Sequence, residues 1–320
     1  MPVTRLLVTG ATGFVGGWTV RHWRQRHPDV ELWTTSHLPR PEWLRPDRYR
    51  RVDLRDEEAA RALVEESRPD AVVHLASLIG GADLEAYLSV NVLGTDRLLR
   101  ALAESAAPGA RVVQAGSAAM YGPVAPEDLP IREDHPLRPV TAYAVSKVAQ
   151  EVVAAAHGRT SSLEIVRARF FNIIGPGQPE SLVPMAFVRQ LEAARDGRAE
   201  KLLTGDTSPE RDFVDVRDAT AAVDLLLERG RAGEAYNVAS GMAVSIQEMI
   251  DELVAIAGVD VPQEVEASRL RPVDVPRVVG DASKIAADCG WSPSVPLRRS
   301  LTDMWAVADV EPHGATGEDR

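Results

Sequence analysis

The sequence predicts an α/β protein: a doubly wound parallel sheet followed by a smaller C-terminal α/β lobe. Two patterns carry that expectation. Short apolar runs alternate with segments of helical period six times up to Arg169. The first of these runs ends directly in a glycine-rich turn that opens a helix, the order found in a Rossmann-like dinucleotide fold. A third observation concerns chemistry. Tyr143 and Lys147 are four residues apart in a segment of helical period, so a helix sets them one turn from each other on one face. An ammonium beside a phenol favours the phenolate, drawing a tyrosine pKa down from about 10 toward the range of a general acid or base. The same spacing also occurs on ordinary solvated helix faces, so the pair gains meaning only from the rest of the chain. Along the same segment Val145, Val148, Val152, Val153 and Ala156 recur at helical spacing and are expected to bury one face.

Taken in order, Arg5–Thr9 reads as a buried strand and Gly10-Ala11-Thr12-Gly13-Phe14-Val15-Gly16 as the turn into the first helix. Gly10 suits a tight turn, Gly13 a close approach of backbone to a pyrophosphate, and Gly16 close packing of helix on strand. The phosphates would rest on the helix N-terminus. Val30–Thr34 is the second strand. Folds that prefer NAD usually end it with an acid for the ribose 2′-hydroxyl. Here Thr35, Ser36, His37 and Arg40 follow instead, small polar or cationic groups that suit a 2′-phosphate. NADP(H) is therefore favoured, with NAD(H) as the alternative, and His37 or Arg40 as plain surface residues remains open. Tyr49–Leu54 gives a third strand ending at Asp53. Glu57–Ser67 is helical. Ala71–Ser77 is a fourth strand whose end, Leu75, Ala76 and Ser77, would line a cofactor. His74 lies inside that strand with no partner at metal-ligand spacing and reads as a core or surface histidine. Residues 84–106 read as one long helix carrying Asn91. Arg111–Gly116 is the fifth strand, delivering Ser117 to the sheet edge, and a proline-rich loop leads from there to Tyr143. Leu163–Arg169 is the sixth. Beyond it, Lys201–Thr204 and Ala235–Val238 read as strands and Arg217–Glu228 as a helix. Ser245-Ile246-Gln247-Glu248 is a capping box opening another helix.

The chain has 320 residues and 45% hydrophobic content, enough for a large core. Its net charge of −11 argues against a dedicated nucleic-acid binder. The single cysteine, Cys289, excludes an intrachain disulfide and a multi-cysteine metal site, and fits a reducing compartment such as the cytoplasm. No apolar stretch is long enough to span a membrane, and the N-terminus reads as a strand rather than a signal peptide. No metal site is expected.

Taken together, Thr9–Gly16, Ser117-Ala118-Ala119-Met120-Tyr121-Gly122 and Tyr143-Ala144-Val145-Ser146-Lys147 resemble the extended short-chain dehydrogenase/reductase family of nucleotide-sugar enzymes. Within it the chain most resembles the GDP-4-keto-6-deoxy-D-mannose reductases. That likeness rests on Leu137-Arg138-Pro139, Phe171–Gln178, Arg211–Asp218 and Arg269–Pro276. The resemblance implies a Ser117–Tyr143–Lys147 triad and contacts of adenosine with Asp53 and Leu54. It also implies a nucleotide-sugar site at Asn172, Val183, Arg211, Arg271 and Asp274, with a GDP-sugar favoured. Asn91 and Phe170 join the cofactor side. The implied division is a dinucleotide domain over 1–172, rejoined by about 212–240, a substrate lobe mainly over 173–309 and a flexible tail over 310–320. A homodimer through a four-helix bundle, built from the helices over 84–106 and 142–157, is also implied.

Two departures narrow the function. Related 4,6-dehydratases carry an Asp-Glu pair just after the triad hydroxyl, whereas this chain has Ala118 and Ala119, leaving no acid–base pair to eliminate water. Phe170 stands where the family usually has Pro beside the nicotinamide. The expectation is thus an NAD(P)H-dependent reductase of a nucleotide-linked 4-keto sugar. The alternative is a 4-epimerase that retains NAD⁺, and a remote one is a non-catalytic dinucleotide-binding regulator. Such regulators typically lose the Tyr or Lys that this chain keeps.

Overall fold

A computed structural model describes residues 3–105, 109–270 and 275–308. The elements run β1 (Arg5–Thr9), α1 (Phe14–Arg26), β2 (Glu31–Ser36), β3 (Tyr49–Arg51), α2 (Glu57–Ser67), β4 (Ala71–His74) and α3 (Leu84–Tyr87). A π-helical run (Leu88–Leu93) leads straight into α4 (Gly94–Ser105), and then come β5 (Arg111–Ser117), α5 (Ala142–Thr160), β6 (Glu164–Phe170), β7 (Asn172–Ile174) and α6 (Val183–Arg195). The remainder is β8 (Leu202–Thr204), β9 (Glu210–Asp215), α7 (Val216–Arg229), β10 (Ala235–Val238), β11 (Ala243–Ser245), α8 (Ile246–Ala257), β12 (Gln263–Val265), β13 (Arg277–Val278), α9 (Ser283–Cys289) and α10 (Leu297–Ala308).

Seven parallel strands form one sheet in the order β10-β6-β5-β4-β1-β2-β3. Strand residues alternate between its faces. Leu6 and Val8 of β1 join one core with Val20 and Trp23 of α1 and Val223 and Leu226 of α7. Leu7, between them, joins the opposite core with Leu63 of α2, Leu98 and Leu102 of α4 and Ala154 of α5. Apolar residues on both faces explain why these strands read as unbroken apolar runs. The chain order reverses between β1 and β4. The crevice outside the strand ends at such a reversal is where open α/β sheets bind ligands.

The second layer is smaller. β9 pairs with β7 and β13 in parallel and with β11 antiparallel, while β8 pairs with β12. α6, α8 and α10 close a third core through Leu191, Leu253 and Met304. The chain leaves this layer to add α7, β10 and α9 to the large sheet. The capping box at Ser245 is present, with Glu248 bonding back to the Ser245 backbone.

Two helical expectations are corrected. The helix over 84–105 is not uniform, because a wide π turn surrounds Asn91; Ala106 lies outside the described residues. In α5 the valine stripe is not the buried face. Val145, Val152 and Ala156 are exposed, and the inward face carries Ser146, Lys147, Gln150 and Glu151. Period alone found the stripe but could not tell which side faced the sheet, because this helix buries polar groups.

Candidate active site

At the sheet's reversal Gly10 has φ +68°, and a Cβ there would stand 2.8 Å from the Ala76 nitrogen. Both facts require glycine. A Cβ on Gly16 would meet the Gly10 carbonyl at 2.1 Å, so the first turn of α1 packs directly on the loop. Gly13 is the N-cap of α1 and supplies no side-chain cap, and the first turn holds no acid. By contrast, Asp56, Thr141 and Ser245 cap α2, α5 and α8 with their own oxygens. The amides at Phe14 and Val15 thus keep their anion-binding capacity. This bare, glycine-lined helix end fits a dinucleotide pyrophosphate.

Thr12 donates to the Ser36 hydroxyl at 2.7 Å, joining the turn to the end of β2. His37 is exposed there. Arg40 was expected to serve a 2′-phosphate, yet one of its guanidinium nitrogens donates to the Pro41 and Leu44 carbonyl oxygens of the loop that folds back beneath it. Arg51, absent from the sequence expectation, pairs with Ser36 across β2 and β3 and donates to the His37 carbonyl at 2.8 Å. Strand register, invisible in the sequence, sets it there. Asp53 follows β3 with its carboxylate held by Arg55, which keeps its pKa low, and Leu54 is buried. Leu75, Ala76 and Ser77 are half-buried in the loop after β4. Asn91, on the π-helical run, faces this loop. It is fully buried, accepts from the Leu78 amide at 2.7 Å and donates to the Leu78 carbonyl and to Ser146. Its amide braces the loop after β4 against α5.

β5 ends at Ser117, opposite Phe170 of β6. Ser117 caps a short turn over Ala118–Tyr121, accepting from the Ala119 amide at 3.2 Å, so only methyl groups follow the hydroxyl. Tyr143 sits in the first turn of α5, which Thr141 caps. Burial raises the phenol's pKa, the nearby Ser117 hydroxyl opposes that, and Tyr87 adds to it. Tyr87 lies edge-on to Tyr143 at 5.8 Å between ring centroids. Burial is the largest influence on the phenol in this arrangement. Lys147 is itself buried, and its pKa falls to about 7, with Glu151 pulling the other way. Its acceptors are neutral: the Ala115 carbonyl at 2.6 Å and the Gln150 side-chain oxygen. In its protonated form the group carries three donors, so one then remains for a ligand.

The second layer presents Asn172 on β7 and Arg211 on the adjacent β9. Asn172 donates to the Asp212 carbonyl, and Arg211 to the carbonyls of Glu210 and Val275. Val183 opens α6, whose N-terminus also lacks a side-chain cap. Arg271, Asp274 and the tail over 310–320 lie outside the described residues. Among the described residues no cluster of acids, histidines or cysteines suits a metal ion, and no helix is long and apolar enough to cross a membrane.

A glycine-lined phosphate cradle and a Ser, Tyr and Lys on one edge of a seven-stranded parallel sheet define an enzyme of the short-chain dehydrogenase/reductase class. Residues 7–304 match the family described as GDP-mannose 4,6 dehydratase, and the chain belongs to that family. It is 36% identical over 302 residues to a GDP-6-deoxy-D-mannose reductase of Pseudomonas aeruginosa, covering 93% of this chain and 94% of that protein. The solved structure of RMD from Pseudomonas aeruginosa complexed with NADPH superposes with a TM-score of 0.84 at 34% identity, over 95% of this chain and 98% of that one. A UDP-glucose 4-epimerase of Thermus thermophilus in complex with NAD superposes with a TM-score of 0.85 at 28% identity, over 96% and 100%.

Proposed function

We propose that this enzyme reduces the 4-keto group of a nucleotide-linked sugar, a GDP-4-keto-6-deoxy-mannose-like substrate, with NADPH favoured over NADH. One observation carries the reading. Ser117, Tyr143 and Lys147 share the edge beside the bare α1 terminus, and Ala118 and Ala119 leave no acid–base pair for dehydration. The similarity to a GDP-6-deoxy-D-mannose reductase and to an NADPH complex supports it.

In this reading the bound nicotinamide supplies hydride to the keto carbon. Ser117 donates a hydrogen bond to the substrate carbonyl and orients it. Tyr143 gives its phenolic proton to the oxygen as negative charge grows there. A phenol kept protonated by burial is suited to that task. Lys147 anchors the nicotinamide ribose with its remaining donor and steadies the phenolate left behind. Gly10, Thr12, Gly13, Phe14, Val15 and Gly16 hold the pyrophosphate, Ser36 and His37 face a 2′-phosphate, and Asp53 and Leu54 face the adenosine. The lobe mainly over 173–309 takes the sugar nucleotide at Asn172, Val183 and Arg211, with Arg271 and Asp274 contributing.

The test is direct. Purified enzyme mixed with GDP-4-keto-6-deoxy-mannose should oxidise NADPH stoichiometrically. A protein that instead purifies with one NAD⁺ per chain, and interconverts C4 epimers without added cofactor, is an epimerase. Similarity to the NAD-bound epimerase favours that as the second reading. The exposed Leu93, Val145 and Val152 on the π run and α5 support a homodimer through a four-helix bundle. Light scattering at micromolar concentration should give twice the chain mass.

A further inference from the structure

His74, Thr95 and Gln150 are buried, and the proposed chemistry uses none of them. They nevertheless form one hydrogen-bonded line. The Lys147 ammonium donates to the Gln150 oxygen, and the Gln150 nitrogen donates to the Thr95 hydroxyl at 2.8 Å. His74 Nε2 meets the same hydroxyl at 2.8 Å, and His74 Nδ1 meets the Thr9 hydroxyl at 2.7 Å. The Thr9 hydroxyl accepts from the Ala76 amide at 3.2 Å. That amide is the atom against which Gly10 is packed.

Donor accounting gives this line a direction. Thr95 has one hydroxyl proton and spends it on the Asn91 carbonyl at 2.6 Å. Toward its other neighbours Thr95 is therefore an acceptor, so His74 must carry its proton on Nε2. His74 Nδ1 is then bare and takes the proton of Thr9, whose oxygen is left to accept from Ala76. Burial, with Lys147 nearby, pushes the His74 pKa down to about 3, so this neutral tautomer persists across the working pH range. A neutral imidazole with a single allowed tautomer is a fixed dipole between two rigid strands and a helix.

We propose that His74, Thr95 and Gln150 are positioning residues that hold the Lys147 ammonium in place and tie its placement to the nucleotide-binding turn at Gly10. The proposal rests on Lys147 and that turn both contacting the dinucleotide, as in the function proposed above. Lys147 lacks an acidic acceptor of its own and is held by two neutral ones, the Ala115 carbonyl and the Gln150 oxygen, and Gln150 in turn is held by Thr95. Thr9, at the other end, fixes the strand end from which the glycine turn departs. Loss of the middle hydroxyl should loosen both ends together.

The experiment compares Thr95→Val, which keeps the shape, with Thr95→Ser, which keeps the hydroxyl. NADPH affinity is read by fluorescence titration, folding by thermal melting, and the His74 tautomer by imidazole ¹⁵N NMR, assigned through His74→Asn. Thr95→Val should weaken NADPH binding about ten-fold, and Thr95→Ser should restore most of it. In the wild-type protein His74 should be protonated on Nε2 alone at pH 7. Wild-type NADPH affinity in Thr95→Val, equal impairment by both variants, or an Nδ1-protonated or cationic His74 would overturn the proposal. If Thr95→Val does not fold, Gln150→Met removes one of the ammonium's two acceptors without substituting His74 and carries the same expectation. If the affinities follow this pattern while no keto sugar is reduced, the relay stands and the reductase reading fails.

Discussion

Lys147 and Glu151 stand one turn apart on the inward face of α5, both buried, and the protein holds them in opposite ways. Glu151 is matched by charge. Arg169 grips it through Nε at 3.0 Å and Nη2 at 2.5 Å, and Arg167 adds a third contact. Arg169 in turn donates to the Tyr121 hydroxyl and the Glu133 carbonyl, and Tyr121 donates to Asn237. Burial works against the Arg169 charge, but Glu151 and Tyr121 outweigh it and hold the guanidinium above its ordinary pKa. Lys147 has only neutral acceptors, and burial wins. A buried charge matched by opposite charge braces the fold. A buried amine with a spare donor and a pKa near neutrality is poised for a ligand. Adjacent turns of one helix thus divide into a site and a structural clamp.

Four substitutions test that division. The largest effect is expected of Tyr143→Phe, at the site end: kcat for keto-sugar reduction should fall about 10²–10⁴-fold, with melting temperature and NADPH affinity close to wild type. An equal loss of stability would place Tyr143 with the clamp instead. At the clamp end, Glu151→Gln strands the Arg169 charge and should cost about 3–5 kcal/mol in urea denaturation; a cost below about 1 kcal/mol would break the comparison.

Lys147→Met should act in the reverse sense on stability while abolishing reduction. The folded pKa of Lys147 lies near 7, below its unfolded value. Between those two values the unfolded chain binds the extra proton, so the lysine's penalty is full below pH 7 and fades as pH rises toward about 10.4. The variant should therefore be more stable than wild type at pH 6, by about 1–4 kcal/mol, and the advantage should shrink by pH 9.5. Denaturation at the two pH values checks the sign. The smallest effect is that of Thr141→Ala, which removes the cap on the shared helix. It should cost about 1 kcal/mol without separating the two ends.

Much of the fold was legible in the sequence. Six strands of the large sheet, the glycine turn and the Ser245 capping box rest on short-range patterns of apolarity, turn chemistry and capping, and each leaves a local trace. The seventh strand, Ala235–Val238, could be read as a strand, but its place beside β6 depends on a long return of the chain. The candidate site was legible only in part. Ser117, Tyr143 and Lys147 stand in motifs, whereas Arg51 and Tyr87 come beside the candidate site, and Thr95 and Gln150 beneath it, through register and packing. His74 was read as a core or surface histidine, and the structure places it in the core.

What the sequence determined by itself is what depends on neighbours along the chain: alternating β and α elements, a turn that admits only glycine at Gly10, and a Tyr and a Lys one helical turn apart. What the tertiary structure alone decided is which side of α5 faces inward, and so which charges lose their water. Valines at helical spacing point to a buried face, but the sheet edge meets Lys147, Gln150 and Glu151 instead. Whether each of those groups becomes a brace or a reactive centre depends on partners from β4, α4, β5 and β6. Desolvation and pairing are properties of space, and no pattern along the chain records them.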